Sequence, residues 1–211
     1  MKRLMMSLTG FSIGAWGLVL AGPHRFEARP LAVILSSWLW AGLEIYIGLF
    51  RSFEGKVPSH LLSKLSRLAW PLPLVYAWLD FRFGWTAIRL PGWVFLLLFG
   101  LFCFGLFFRG WAVFYLGPSF SYDLKRPAGG ELVRTGPYRL VRHPSYLGIC
   151  LLGSLPGLLL GSLPGFLGLA LFTAPQTVFR ARREDELLER EFGPAFREYA
   201  RRVALILPFL Y

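Results

Sequence analysis

The chain has 211 residues, of which 55% are hydrophobic and only 17% charged, with mean hydropathy +0.51 and a formal net charge of +11. A soluble domain of this length carries more surface charge, and here the apolar residues fall into several blocks, each near the length of a bilayer span. The basic excess would point to nucleic acid in a soluble protein; in a membrane protein it marks cytoplasmic loops facing anionic headgroups, so no nucleic-acid partner is expected.

The first predicted span covers 7–21. It follows Lys2 and Arg3 as an h-region follows an n-region, but further spans come after it, so it reads as a retained helix rather than a cleaved signal. Gly10 and Gly14 form a GxxxG that lets another helix approach closely. Gly22-Pro23 ends the span, and a short polar loop follows. The second span, 31–50, holds one acid, Glu44, which either faces a partner or cavity or lies near enough to the interface to be hydrated. Residues 51–67 are polar and basic and read as an amphipathic surface segment. The third span, 68–80, is short, and Pro71 and Pro73 are expected to distort it. The fourth, 91–108, is clean, with Arg109 closing it at the interface.

Residues 109–144 form the longest polar stretch. Two apolar arms follow, 144–160 and 164–179, each about 25 Å of helix. The pentapeptide GSLPG occurs at 153–157 and again at 161–165. The second copy is placed to turn a helical hairpin, and the first to kink the ascending arm at Pro156. In the charged segment 180–202, Leu188, Phe192, Phe196, Tyr199 and Val203 recur at helical spacing, and Glu186 and Arg190 are set to pair. Gly193-Pro194 divides it into two helices, Pro194 opening the second; a helix lying on the membrane surface would show the same pattern.

With the N-terminus in the cytoplasm and six crossings, or five with a re-entrant hairpin, the 23 Lys and Arg split 19 inside to 4 outside, as the positive-inside rule requires. The fold class is therefore all-α: a polytopic integral membrane helical bundle with a C-terminal helical hairpin and cytoplasmic amphipathic helices. Residues 1–108 supply N-terminal transmembrane helices, and 109–211 a cofactor-binding segment, the hairpin and the amphipathic helices, all within one integrated domain. The same topology brings both polar segments to the cytoplasmic side.

Two segments there suit chemistry. In 131–148, Gly136-Pro137 forces a turn, and Arg142-His143-Pro144 opens an apolar helix, with Pro144 at its first position and His143 near the cap. Free backbone N–H groups and the Arg142 fork suit a carboxylate or phosphate; an arginine that snorkels and a histidine that only caps would leave the same sequence. In 180–203, Glu184, Asp185 and Glu186 are either a solvated face or acids presented to an ammonium or a ribose hydroxyl. Cys103 and Cys150 read as small core residues. No CxxC exists, and His24, His60 and His143 lie in three different segments, so no metal site is expected.

Together, LVxxGPYxxVRHPxYLG and the later RxxxE(E/D)xLLxxxFGxxYxxY resemble the isoprenylcysteine carboxyl methyltransferases and the related phospholipid N-methyltransferases. Arg109, Leu116-Gly117 and Phe120-Ser121 fit as well, and the resemblance covers 109–205. It implies a membrane-embedded fold, an S-adenosylmethionine site and an active site facing the cytoplasm. The family's RHP, Tyr and Gly fall on Arg142, His143, Pro144, Tyr146 and Gly148, and its acidic pair on Glu184 and Asp185. Asp185 reaches less far than the glutamate common in the family, and Phe196 stands where the family often has tyrosine. The cofactor-binding set expected from the residues and the resemblance is Val133, Gly136, Tyr138, Arg142, His143, Tyr146, Leu147, Gly148, Glu184 and Asp185. Val133, Tyr138 and Tyr146 are placed to pack on the adenine, and Arg180 and Glu184 to do the catalytic work. No GxGxxG follows a strand, which excludes a Rossmann-type methyltransferase domain.

The expected reaction is methyl transfer to a lipid-like or prenylated small-molecule acceptor, such as a prenylcysteine carboxylate or a phospholipid amine, entering from the membrane lipids between helices. Two other readings fit the same residues: a membrane reductase using NADPH on a sterol or isoprenoid, and a non-enzymatic membrane binding protein. The sequence sets neither the acceptor nor the oligomeric state.

Overall fold

The structure, a computed structural model, describes residues 28–50, 71–117 and 131–208. The expected first span, the 51–67 segment and the Phe120-Ser121 pair lie outside the described residues. Among the described residues the fold is all-helical: α1 (Ala28–Phe50), α2 (Pro71–Phe83), α3 (Gly92–Leu116), a 3-10 turn (Gly136–Arg139), α4 (Pro144–Leu159), α5 (Leu163–Phe192) and α6 (Pro194–Arg202). One of them, α3, is long and apolar enough to cross a membrane, while 31–47 and 144–159 are shorter apolar helices.

Several boundaries differ from the sequence reading for physical reasons. Pro71 and Pro73 lie in the first described turn of α2, and the residues before them lie outside the described residues. Helix α3 does not stop at Arg109 but runs on to Leu116, because that arginine is buried and paired rather than lying at an interface. The descending arm and the first half of the charged segment are one continuous helix, α5, of 30 residues, about 45 Å long. It stops at Gly193, whose φ of 53° ends the helix, and Pro194 opens α6 as expected. The pair expected between Glu186 and Arg190 is replaced by Arg183–Glu186 at 3.0 Å.

The hairpin turns on the second GSLPG. Gly161 has a φ of +76°, and a Cβ there would meet the Ile88 carbonyl oxygen at 2.2 Å, so both conformation and space require glycine. Ser162 caps α5 by accepting from the Gly165 N–H. The first copy lies inside α4, which runs through Pro156. Its glycines serve close packing: a Cβ at Gly157 would lie 2.3 Å from the Phe166 backbone nitrogen. On the other side of α4, Gly105 and Gly148 let α3 approach closely.

One core gathers Val33, Ile34, Trp78, Phe102, Leu152 and Leu169 from five helices; a second, of Phe108, Val141, Leu147, Ala181 and Ile206 among others, underlies the end of the bundle where the polar residues converge. The outward face of α3 is apolar, with Leu97, Phe104, Phe107 and Phe114 exposed. Cys103 lies on the exposed side of α3 rather than in the core, and Cys150 is half-buried. Trp93 stands near one end of this helix and Trp111 and Tyr115 near the other, the pattern of interfacial aromatic belts.

Candidate functional site

The polar cluster is built where α4 begins and α5 leaves its apolar half. Pro144 is the first residue of α4 and His143 its N-cap, and the His143 side chain makes no capping bond. The approach to the helix is fixed by a short parallel pairing of Val141 with Ala204. The Arg142 N–H donates to the Ala204 carbonyl at 2.8 Å and the His143 N–H to that of Leu205 at 3.0 Å. Two N–H groups near the helix start are therefore already satisfied by the C-terminal segment.

The freed His143 ring lies between two acids one helical turn beyond Arg180. Nε2 is 2.7 Å from Asp185 Oδ1 and Nδ1 is 3.4 Å from Glu184 Oε2. Burial opposes a charge on this imidazole, but the hydrogen bonds and charges of Asp185 and Glu184 outweigh it and push the pKa up to about 9, so the ring is a cation at neutral pH. Arg142 donates Nε to Asp185 at 3.1 Å, and Nη1 to the carbonyls of Ala200 and Val203 at 2.7 and 2.6 Å. It thus ties the acid on α5 to the end of α6. The Tyr146 hydroxyl donates to Glu184 and accepts from Arg180 Nε at 3.2 Å. The Arg180 guanidinium also lies 5.9 Å from the Tyr146 ring centre.

Six of the expected site residues are thus brought together: Arg142, His143, Tyr146, Arg180, Glu184 and Asp185. The rest of the expected set sits around them. Gly136 has a φ of +60°, and a Cβ there would press on the Tyr115 ring at 2.6 Å. Tyr138 is buried and donates its hydroxyl to the Ala112 carbonyl at 3.1 Å, while its own carbonyl accepts from Tyr199 at 2.6 Å. Val133 is half-buried. Leu147 belongs to the core beneath the cluster, and Gly148 lies against Arg109, where a Cβ would come within 2.8 Å of the Gly105 carbonyl oxygen. Phe196, which stands where a tyrosine is common in the resembling family, is 3% exposed and packs edge-on to Tyr199.

Sequence reasoning passed over Arg109 and Ser145 as site neighbours. Arg109 forms a two-pronged pair with Glu44, Nε to Oε1 at 2.9 Å and Nη2 to Oε2 at 3.0 Å, and its Nη1 donates to Ser145. Of the two readings left open for Glu44, the paired one holds. The signal was present: a single acid in one apolar span and a single base in another are each costly alone, which favours their pairing. Among the described residues, no group of three or more His, Cys, Asp or Glu is placed to hold a metal ion.

A pH dependence follows from His143. Its folded pKa of about 9 lies above the ordinary 6.5, so its stabilisation is complete below pH 6.5 and is lost as pH rises through 9. Each tenfold gain in proton affinity on folding corresponds to about 1.4 kcal/mol. Melting temperatures in detergent are expected to fall between pH 6.5 and 9.5, and His143→Gln is expected to flatten that slope; equal slopes in both proteins would overturn the assignment.

Residues 96–190 match the family model of the isoprenylcysteine carboxyl methyltransferase (ICMT) family, a segment that includes α4 and most of α3 and α5. A nickel-cobalt-cadmium resistance protein, NccN, of Alcaligenes xylosoxydans xylosoxydans is 42% identical over 84 residues, covering 38% of this chain and 37% of that protein. The match therefore spans little more than a third of that relative's length.

Proposed function

We propose that this chain, whose residues 96–190 carry the signature of the isoprenylcysteine carboxyl methyltransferase family, is a membrane methyltransferase. It uses S-adenosylmethionine and modifies a lipid-like acceptor, such as a prenylcysteine carboxylate or a phospholipid amine, at the cytoplasmic face of a bilayer. The observation that carries this reading is the convergence of Arg142, His143, Tyr146, Arg180, Glu184 and Asp185 at one end of the two apolar arms.

The donor set fits the cofactor. The amino-acid part of S-adenosylmethionine offers a carboxylate and an ammonium, and the cluster offers both signs. Arg142 is the partner for the carboxylate, with the charge of the protonated His143 beside it, its two N–H groups directed at Asp185 and Glu184; Glu184 and Asp185 are the partners for the ammonium or a ribose hydroxyl. With His143 charged, three cations face two carboxylates, an excess that favours an anionic acceptor head. When bound, the cofactor supplies a methyl group made electrophilic by its sulfonium. The chain's own work is alignment and exclusion of water. Arg180 orients the acceptor head, and Glu184 holds both Tyr146 and His143 in register. A carboxylate acceptor arrives ionised and needs no general base.

The membrane arrangement proposed is polytopic, with six crossings or five and a re-entrant hairpin, and with both termini in the cytoplasm. The skew of Lys and Arg supports it, although Arg109 is a buried partner of Glu44 and not a loop cation. Short apolar helices 31–47 and 144–159 beside the long α3 fit a site near one membrane face.

The test is a thermal shift in detergent. S-adenosylhomocysteine at a hundred times its Kd is expected to stabilise the protein by about 2.7 kcal/mol, and NADPH to leave it unchanged. A shift with NADPH alone would replace this reading by a reductase, and a shift with neither would remove the enzyme reading.

A further inference from the structure

Arg109 is 1% exposed in an apolar helix, where a guanidinium is tolerated only if its fork is satisfied. All three of its nitrogens are engaged. Nε and Nη2 hold the two Glu44 oxygens at 2.9 and 3.0 Å, and Nη1 holds the Ser145 hydroxyl. Glu44 is steadied in turn by the Trp40 indole N–H at 3.0 Å. Ser145 lies in the first turn of α4, between His143 and Tyr146, and Gly148, one turn on, rests against the Arg109 backbone. A planar fork fixes direction as well as distance, so the pair sets where α4 begins relative to α3. Glu44 lies on α1, outside the 96–190 segment that matches the family.

We propose that Glu44 is a positioning residue, which through Arg109 and Ser145 holds the first turn of α4 so that His143 and Tyr146 meet Glu184, Asp185 and Arg180. The proposal rests on the methyltransferase reading for its activity readout, but not for its structural one. A misplacement of the order of 1 Å can lower turnover about a hundredfold, so the clamp connects the first half of the chain to the rate.

The experiment compares Glu44→Gln, Ser145→Ala and the double variant. Ser145→Ala leaves the charge pair intact and so keeps the test usable if Glu44→Gln does not fold. Two quantities are read: methyl transfer to a short-chain prenylcysteine, resolved into kcat and KM, and the titration of the His143 ring by NMR. Each single variant is expected to lower kcat ten- to hundredfold with a smaller change in KM, and to move the His143 titration down toward 6.5. The double variant is expected to be no worse than the more severe single one, because all act along one line of contacts. Additive losses, or an unmoved His143 titration in a folded Ser145→Ala protein, would overturn the proposal. If the wild-type protein transfers no methyl group at all, the functional reading fails, while the His143 titration still decides whether the clamp positions the turn.

Discussion

Replacing Arg142 by alanine is expected to give the largest loss of stability of any single site substitution, about 3–5 kcal/mol, the range for breaking one side of a buried ion pair. The reason is the number of groups it would strand. The Asp185 carboxylate would lose two donors, at 3.1 and 3.0 Å, and the carbonyls of Ala200 and Val203 would lose theirs. Affinity for S-adenosylhomocysteine is expected to fall as well, because His143 and Asp185 would no longer be held in place. Arg142→Lys separates charge from geometry: a point charge cannot serve a carboxylate and two carbonyls at once, so it is expected to recover less than half of the lost stability. Thermal melts and calorimetric titration measure the two effects. A folded alanine variant with unchanged melting temperature would show that Arg142 does not hold Asp185 to the end of α6.

Arg180→Lys is expected to give the largest loss of activity for the least loss of stability. Arg180 lies where the apolar half of α5 ends, with Nε 3.2 Å from the Tyr146 hydroxyl. A lysine would reach the interface equally well as an anchor, so an anchoring role predicts near-normal transfer. A role in orienting the acceptor head needs the planar fork, and loss of one charged hydrogen bond costs about 1.5–3 kcal/mol, or roughly ten- to hundredfold in rate. The assay is transfer of radiolabelled methyl to prenylcysteine and phospholipid acceptors beside their tail-less headgroup analogues. Near-wild-type rates in Arg180→Lys would return this residue to an anchor, and equal rates with the tail-less analogues would refute entry from the bilayer.

Much of the candidate site is legible in the sequence because its residues lie in two short stretches whose local rules are strong. Pro144 opens α4, with His143 at the N-cap position, because proline is suited to a first helical turn. Gly193-Pro194 ends one helix and opens the next, and the second GSLPG makes the hairpin that brings the two stretches together. The partners within the site are less legible. The Arg142 fork suits an anion; in the fold it also holds the end of α6, a contact between residues about sixty positions apart. Likewise Tyr138 and Gly148, expected to contact a cofactor, touch Ala112 and Arg109.

By itself the sequence determined the helical class, the apolar blocks, the turns at glycine and proline, and the two segments rich in ionisable groups, since each follows from local propensity or from the cost of putting charge in hydrocarbon. Only the tertiary structure decided which charges pair. Glu44 and Arg109 are 65 residues apart; a lone acid and a lone base in apolar stretches favour pairing, but nothing local says that Arg109 lies within its helix and not at an interfacial end. Their pairing depends on how closely α1 approaches α3, and the tie of Arg109 to Ser145 on how closely α3 approaches α4 at Gly105 and Gly148, distances that exist only once the helices have come together.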